Sequence, residues 1–151
     1  MPNCRKGIFL AIACAMVPQV QAAQEAAHAP AAPTGEAGAI GEAPYRIDIP
    51  GNWNGELVVL ARGFEPPGAP RTAPMPPNEA TPVFLSDGYA VAQSGYSSQG
   101  WAVREALDDV ERLRQRFIER HGKPRRTYLV GFSMGGGIVV ATLERYPRDY
   151  D

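Results

Sequence analysis

Apolar and polar residues alternate over Tyr45-Arg46-Ile47-Asp48-Ile49, the pattern of a strand with one buried face. Pro50-Gly51-Asn52 ends that pattern, and Asn54-Gly55 marks a tight turn. Leu57-Val58-Val59-Leu60-Ala61 is continuously apolar, as suits a central strand covered on both faces. Seven prolines between Pro66 and Pro82 then exclude regular structure, because proline fixes φ and lacks the amide donor. A short helix is predicted over Val83 to Asp87, stopped by Gly88, and a buried strand over Tyr89 to Gln93. From Ala102 to Arg120, Val103, Ala106, Leu107, Val110, Leu113, Phe117 and Ile118 recur at helical spacing. Arg104 and Asp108, four apart, are expected to support its exposed face. Gly122 and Pro124 end the helix. Thr127 to Val130 reads as another strand and Ile138 to Arg145 as another helix.

Strands alternating with helices predict an α/β fold: a mostly parallel sheet with helices on both faces. The region before Tyr45 has a different character. Arg5 and Lys6 precede an apolar stretch, Gly7 to Val17, too short to span a bilayer comfortably, and Val20-Gln21-Ala22 supplies small residues for cleavage. Residues 1–22 are therefore expected to be a signal peptide directing export, to the periplasm or outside the cell. Lipidation of Cys14 is a side possibility, against which Ala11 stands as a poor substitute for leucine. No stable membrane anchor is expected. Residues 23–43, rich in Ala, Pro and Gly, read as a flexible leader that includes His28. Residues 44–151 form the expected domain.

Composition narrows the chemistry. Both cysteines, Cys4 and Cys14, fall in the signal segment, so the exported chain has neither disulfide nor thiolate metal ligand. With Arg5 and Lys6 removed, 13 basic residues face 16 acidic ones, and no basic patch suggests nucleic acid. No GxGxxG follows the first central strand, and Gly135-Gly136-Gly137 lacks the Lys-Ser/Thr of a phosphate loop. No cofactor or metal is implied.

The positive signal is Gly131-Phe132-Ser133-Met134-Gly135, between the strand at Thr127 to Val130 and the following helix. Such a tight strand-to-helix reversal lifts the serine hydroxyl above the sheet and leaves no room for bulk beside it, which makes Ser133 a candidate nucleophile. The amides of Phe64, after the first central strand, and of Met134 are candidate oxyanion donors. Gly136 and Gly137 are expected to let the helix pack closely on neighbouring strands. The loop Tyr96-Ser97-Ser98 emerges at the ligand-binding end of its strand, although a plain loop is the simpler reading for its serines.

From Tyr45 to Asp151 the sequence resembles the N-terminal part of an α/β-hydrolase, of the exported serine esterase and prolyl-oligopeptidase-like kind. The resemblance lies in Trp53 to Leu60, Asp87 to Ala92, Val130 to Gly136 and Glu144-Arg145-Tyr146-Pro147. It implies hydrolysis of a small-molecule ester, or of a peptide, through an acyl-enzyme on Ser133. Two features depart from that pattern. Arg62-Gly63 stands where His-Gly is common. After Ser133 there are Asp149 and Asp151 but no histidine, whereas the superfamily order is nucleophile, acid, histidine. His28 and His121 both precede the motif. The expectation is an N-terminal portion of a serine hydrolase that lacks its acid and base. Its rival is a non-catalytic truncated product or binding module.

Overall fold

The computed structural model describes residues 33–151. The signal segment, the possible lipidation at Cys14 and the leader up to residue 32, with His28, lie outside the described residues. Five strands form a sheet in the order β1-β2-β4-β3-β5. They are β1 (Thr34–Ile40), β2 (Ala43–Ile49), β3 (Glu56–Ala61), β4 (Ala90–Ser94) and β5 (Arg126–Gly131), joined by helices α1 (Thr81–Ser86), α2 (Val103–His121) and α3 (Met134–Arg145).

The sheet is mixed. Strands β4, β3 and β5 run parallel, whereas β2 is antiparallel to both β1 and β4. Apolar patterning identifies a strand but says little of its direction; the parallel part is the part whose connections run through helices. The chain passes from β3 to β4 on one side, then crosses back through α2 to place β5 on the other side of β3. The strand order thus reverses between β3 and β5, whose following helices pack on opposite faces of the sheet, and the crevice beyond the C-terminal ends of these two strands is where sheets of this type hold ligands.

β1 occupies part of the stretch expected to be a flexible leader. Its residues TGEAGAI bury little surface, yet Thr34–Ile40 is a regular strand. A full ladder to β2, from Thr34↔Ile49 to Ile40↔Ala43, pairs the backbone instead, across a turn at Gly41 (φ 61°). Polar contacts add to it: the Tyr45 hydroxyl donates to Glu36 at 2.5 Å, and Arg116 donates to the same carboxylate at 3.2 Å. These hold Glu36 below the usual carboxylate range, with the Tyr45 hydrogen bond the largest cause. The strand is fastened mainly by hydrogen bonds, with Ile40 at its end its one apolar residue packed against the core.

The core lies between the sheet and α2 with α3. Leu57, Val59, Ala90, Ala92, Ala106, Val110, Leu113, Phe117 and Ile138 are completely or almost completely buried there. Deleting a side chain such as Phe117 would cost about 3–5 kcal/mol. The opposite face is thinner: Val58, Leu60 and Val91 meet Phe84, Leu85, Tyr89 and Tyr128. Pro82 falls in the first turn of α1, where no intrahelical donor is needed, so that helix begins two residues before the expected Val83. Asp108 pairs with Arg145 of α3 at 3.0 Å, so it ties two helices together instead of supporting Arg104. No described helix is long and apolar enough to cross a membrane.

Candidate active site

The elbow follows from glycine positions. A Cβ on Gly131 would lie 2.2 Å from the Gly135 carbonyl oxygen, and one on Gly135 would lie 2.1 Å from the Ala61 carbonyl oxygen. Only hydrogen fits at either place, so strand β5, helix α3 and the end of β3 approach backbone to backbone. Gly136 and Gly137 are different: a Cβ on Gly136 would have only an ordinary 3.8 Å contact, and Gly137 faces open space. The close packing expected of those two residues belongs to Gly131 and Gly135.

Ser133 caps α3 with φ 56° and ψ −126°, a conformation that side-chain-bearing residues seldom adopt. Such strain costs of order 1–3 kcal/mol and persists where the surroundings enforce it. Here two backbone hydrogen bonds, from Gly135 to the Phe132 carbonyl and from Gly136 to the Ser133 carbonyl, both 2.9 Å, lock the turn. Ser133 is exposed, and among the described residues its hydroxyl has no hydrogen-bond partner. Met134, the first residue of α3, is buried, and its amide belongs to the helix N-terminus, where no intrahelical acceptor exists.

The loop after β3 lies against this serine. A Cβ on Gly63 would sit 3.6 Å from the Ser133 Cβ and 3.5 Å from the Phe132 carbonyl oxygen. Phe64 follows, half exposed, its ring 5.4 Å from that of Trp101. The structure thus brings together Ser133, the first turn of α3 and the segment Arg62-Gly63-Phe64. Arg62 turns its guanidinium to Glu65 at 3.3 Å.

His121 is elsewhere. It ends α2, 3.5 Å from Glu36, on the side where β5 begins, whereas Ser133 follows the end of β5. Six strand residues separate the two levels by roughly 20 Å. Asp149 accepts from Arg114 at 2.9 Å, and the Asp151 carboxylate accepts from the Thr127 amide at 2.9 Å, near the start of β5. None of these groups serves the serine. Ser97 is structural: its amide and hydroxyl both donate to Asp109, at 2.7 and 2.8 Å. Among the described residues no cluster of His, Cys, Asp or Glu could hold a metal ion.

Two features of the site had no clear signal in the sequence. One is a cavity of about 540 Å³ between the proline-rich loop and the ends of β3 and β4, lined by Leu60, Arg62, Met75, Gln93, Ser94 and Phe132 among others. Gln93 shapes it by accepting from the Asn78 amide at 2.9 Å and donating to the Pro76 carbonyl at 2.5 Å. The other is Tyr96, a buried tyrosine with φ 55°. Only its place after a strand was legible beforehand.

No protein-family model matches the sequence, and no curated protein matches it significantly. Solved structures do match. A candidate dipeptidyl aminopeptidase IV from Bacteroides ovatus ATCC 8483 superposes with a TM-score of 0.62 at 20% identity, over 79% of this chain and 20% of that one. An acetyl xylan esterase from Aspergillus awamori gives 0.55 at 14% identity, over 78% of this chain and 49% of the other. A candidate hydrolase from Agrobacterium vitis S4 gives 0.53 at 17% identity, over 79% and 48%. The chain thus spans between a fifth and a half of the length of these structures. In fold, the described residues match part of an α/β-hydrolase.

Proposed function

We propose that this chain supplies the nucleophile and the oxyanion hole of an exported serine hydrolase, most simply one that cleaves carboxylic esters. The observation that carries this reading is the enforced backbone of Ser133, held at positive φ between two glycines that admit no side chain. Proteins retain such strain where a side chain must be presented in one orientation. In the proposed mechanism the Ser133 Oγ attacks the ester carbonyl and the alkoxide leaves with a proton. Water then releases the acyl group from Ser133. The negative charge on the tetrahedral oxygen is taken up by the amides of Phe64 and Met134, each worth a factor of about 10²–10³ in rate.

A base is required, since an unassisted serine hydroxyl stays protonated near neutral pH. His121 lies too far away, so the proposal assigns the histidine and acid to residues beyond those described. It also places the reaction outside the cytoplasm, on the strength of the basic, apolar and small-residue succession in residues 1–22. A peptidase using the same serine is the second reading, favoured by the likeness to the candidate dipeptidyl aminopeptidase.

The test uses the complete natural protein that carries these residues. Fluorophosphonate labelling should occur and vanish in Ser133→Ala, and p-nitrophenyl esters should turn over faster than dipeptide p-nitroanilides. Faster anilide cleavage would select the peptidase. No Ser133-dependent labelling would leave a binding module as the surviving idea.

A further inference from the structure

The oxyanion segment is short, exposed on one side, and rich in glycine and proline beyond Arg62, so something must hold it. Tyr96 is the group in position to do so. The residue is 2% exposed, and its hydroxyl donates to the Arg62 carbonyl at 3.0 Å. That carbonyl belongs to the peptide plane immediately before Gly63-Phe64. It also faces the elbow: a Cβ on Gly135 would lie 3.0 Å from the same oxygen. The tyrosine therefore grips the loop where it packs on the first turn of α3.

The backbone at Tyr96 is arranged for this contact. Tyrosine at φ 55° is unfavourable, and the strain is sustained by neighbours that bind the loop on both sides. The Tyr96 amide donates to the Ser94 hydroxyl at 3.1 Å, and its carbonyl accepts from Arg71 at 2.8 Å. Arg71 also binds the Gly95 carbonyl at 2.7 Å and the Glu65 carboxylate at 2.8 Å. Burial pushes the Tyr96 hydroxyl well above the usual phenol range, so it stays a donor at every physiological pH.

We propose that Tyr96 is a positioning residue of the oxyanion hole: its hydroxyl fixes the Arg62 carbonyl and so aims the Phe64 amide at the oxygen that becomes charged. The inference rests on the serine hydrolase reading of Ser133. Tyr96 touches neither substrate nor nucleophile. Its effect passes through one peptide plane, so its removal is expected to weaken one donor without abolishing it.

Tyr96→Phe removes the hydroxyl and keeps the buried ring. In the complete natural protein, kcat for a p-nitrophenyl ester should fall about tenfold with KM unchanged, less than loss of a whole oxyanion donor would cost. Amide hydrogen exchange over Gly63 to Glu65 should quicken, while that of α2 and β3 stays as in the wild type. A variant with wild-type kcat, or with exchange quickened throughout, would assign the hydroxyl to general stability and overturn the proposal. Should Tyr96→Phe not fold, Ser94→Ala, which frees the Tyr96 amide, should give the same fall in kcat, and no change would overturn the role. Absence of any Ser133-dependent hydrolysis in the wild-type protein would instead remove the serine reading, and this role with it.

Discussion

Ser133 shows how much one residue can be asked to bear. Its φ of 56° is tolerable for glycine and costly for anything with a Cβ. Alanine keeps that Cβ and serine's strain; glycine relieves it. In unfolding experiments Ser133→Gly should therefore be more stable than Ser133→Ala by about 1 kcal/mol, with both inactive, after glycine's larger unfolded-state entropy is offset. Equal stabilities would mean that the turn is not strained. Gly135 is the opposite case. Gly135→Ala places a methyl 2.1 Å from the Ala61 carbonyl oxygen, and no flexible side chain stands there to yield. A loss of about 3 kcal/mol or more is expected in denaturant titration, together with loss of fluorophosphonate labelling. The motif itself was legible in the sequence. Which glycine carries the contact was not, because that depends on a strand end, Ala61, more than seventy residues earlier.

At the scale of elements, the chain's last residues are tied to α2 by a buried ionic group. Arg114 donates to both oxygens of Glu111, at 2.9 and 2.7 Å, and to Asp149 at 2.9 Å, while the Tyr150 hydroxyl donates to Glu111 at 3.1 Å. Burial opposes ionisation of Glu111, yet the bonds from Arg114, Gln115 and Tyr150 outweigh it and hold the carboxyl below its usual value. The sign follows. A folded pKa below the unfolded one, about 4.3 for glutamate, gives stability that is complete above that value and is lost as pH falls through the folded pKa. Unfolding curves should therefore show stability declining below about pH 4 in the wild type. Glu111→Gln should lose about 3 kcal/mol at neutral pH and show a shallower acid decline. An unchanged acid slope in Glu111→Gln would assign the decline to other carboxylates, of which Glu36 is the first candidate. The helical period of α2 was plain in the sequence. That Glu111 and Arg114 on that helix are buried was not, since their partners Asp149 and Tyr150 lie some thirty-five residues on.

For the whole molecule, the sheet is unevenly finished. β3 and β4 are almost wholly buried along their lengths, whereas β5 is half open, with Val130 exposed and Phe132 87% exposed beyond it. On the side away from β3, the described residues offer β5 one neighbour, Asp151, whose amide donates to the Thr127 carbonyl at 2.9 Å. Val140 and Leu143 of α3 are exposed too. An open strand edge beside apolar side chains is a template for pairing with another chain. Residues 23–151 produced alone should associate with rising concentration in sedimentation velocity and leave p-nitrophenyl esters intact. A cooperatively unfolding monomer with Ser133-dependent turnover would contradict both expectations.

Local pattern determined most of the elements: alternation marked β2, continuous apolar runs marked β3 and β4, and a 3.6-residue period marked α2. It also marked the serine turn, because the steric demand for small residues is written within five consecutive positions. Tertiary structure decided what depends on distant partners. It made β1 a strand by giving its backbone a ladder, set β2 antiparallel, and pressed Gly63 against Ser133. It also placed the Tyr96 hydroxyl on the Arg62 carbonyl. Periodicity records which way a residue faces. Which distant group it will meet there is fixed only when the sheet has chosen its order.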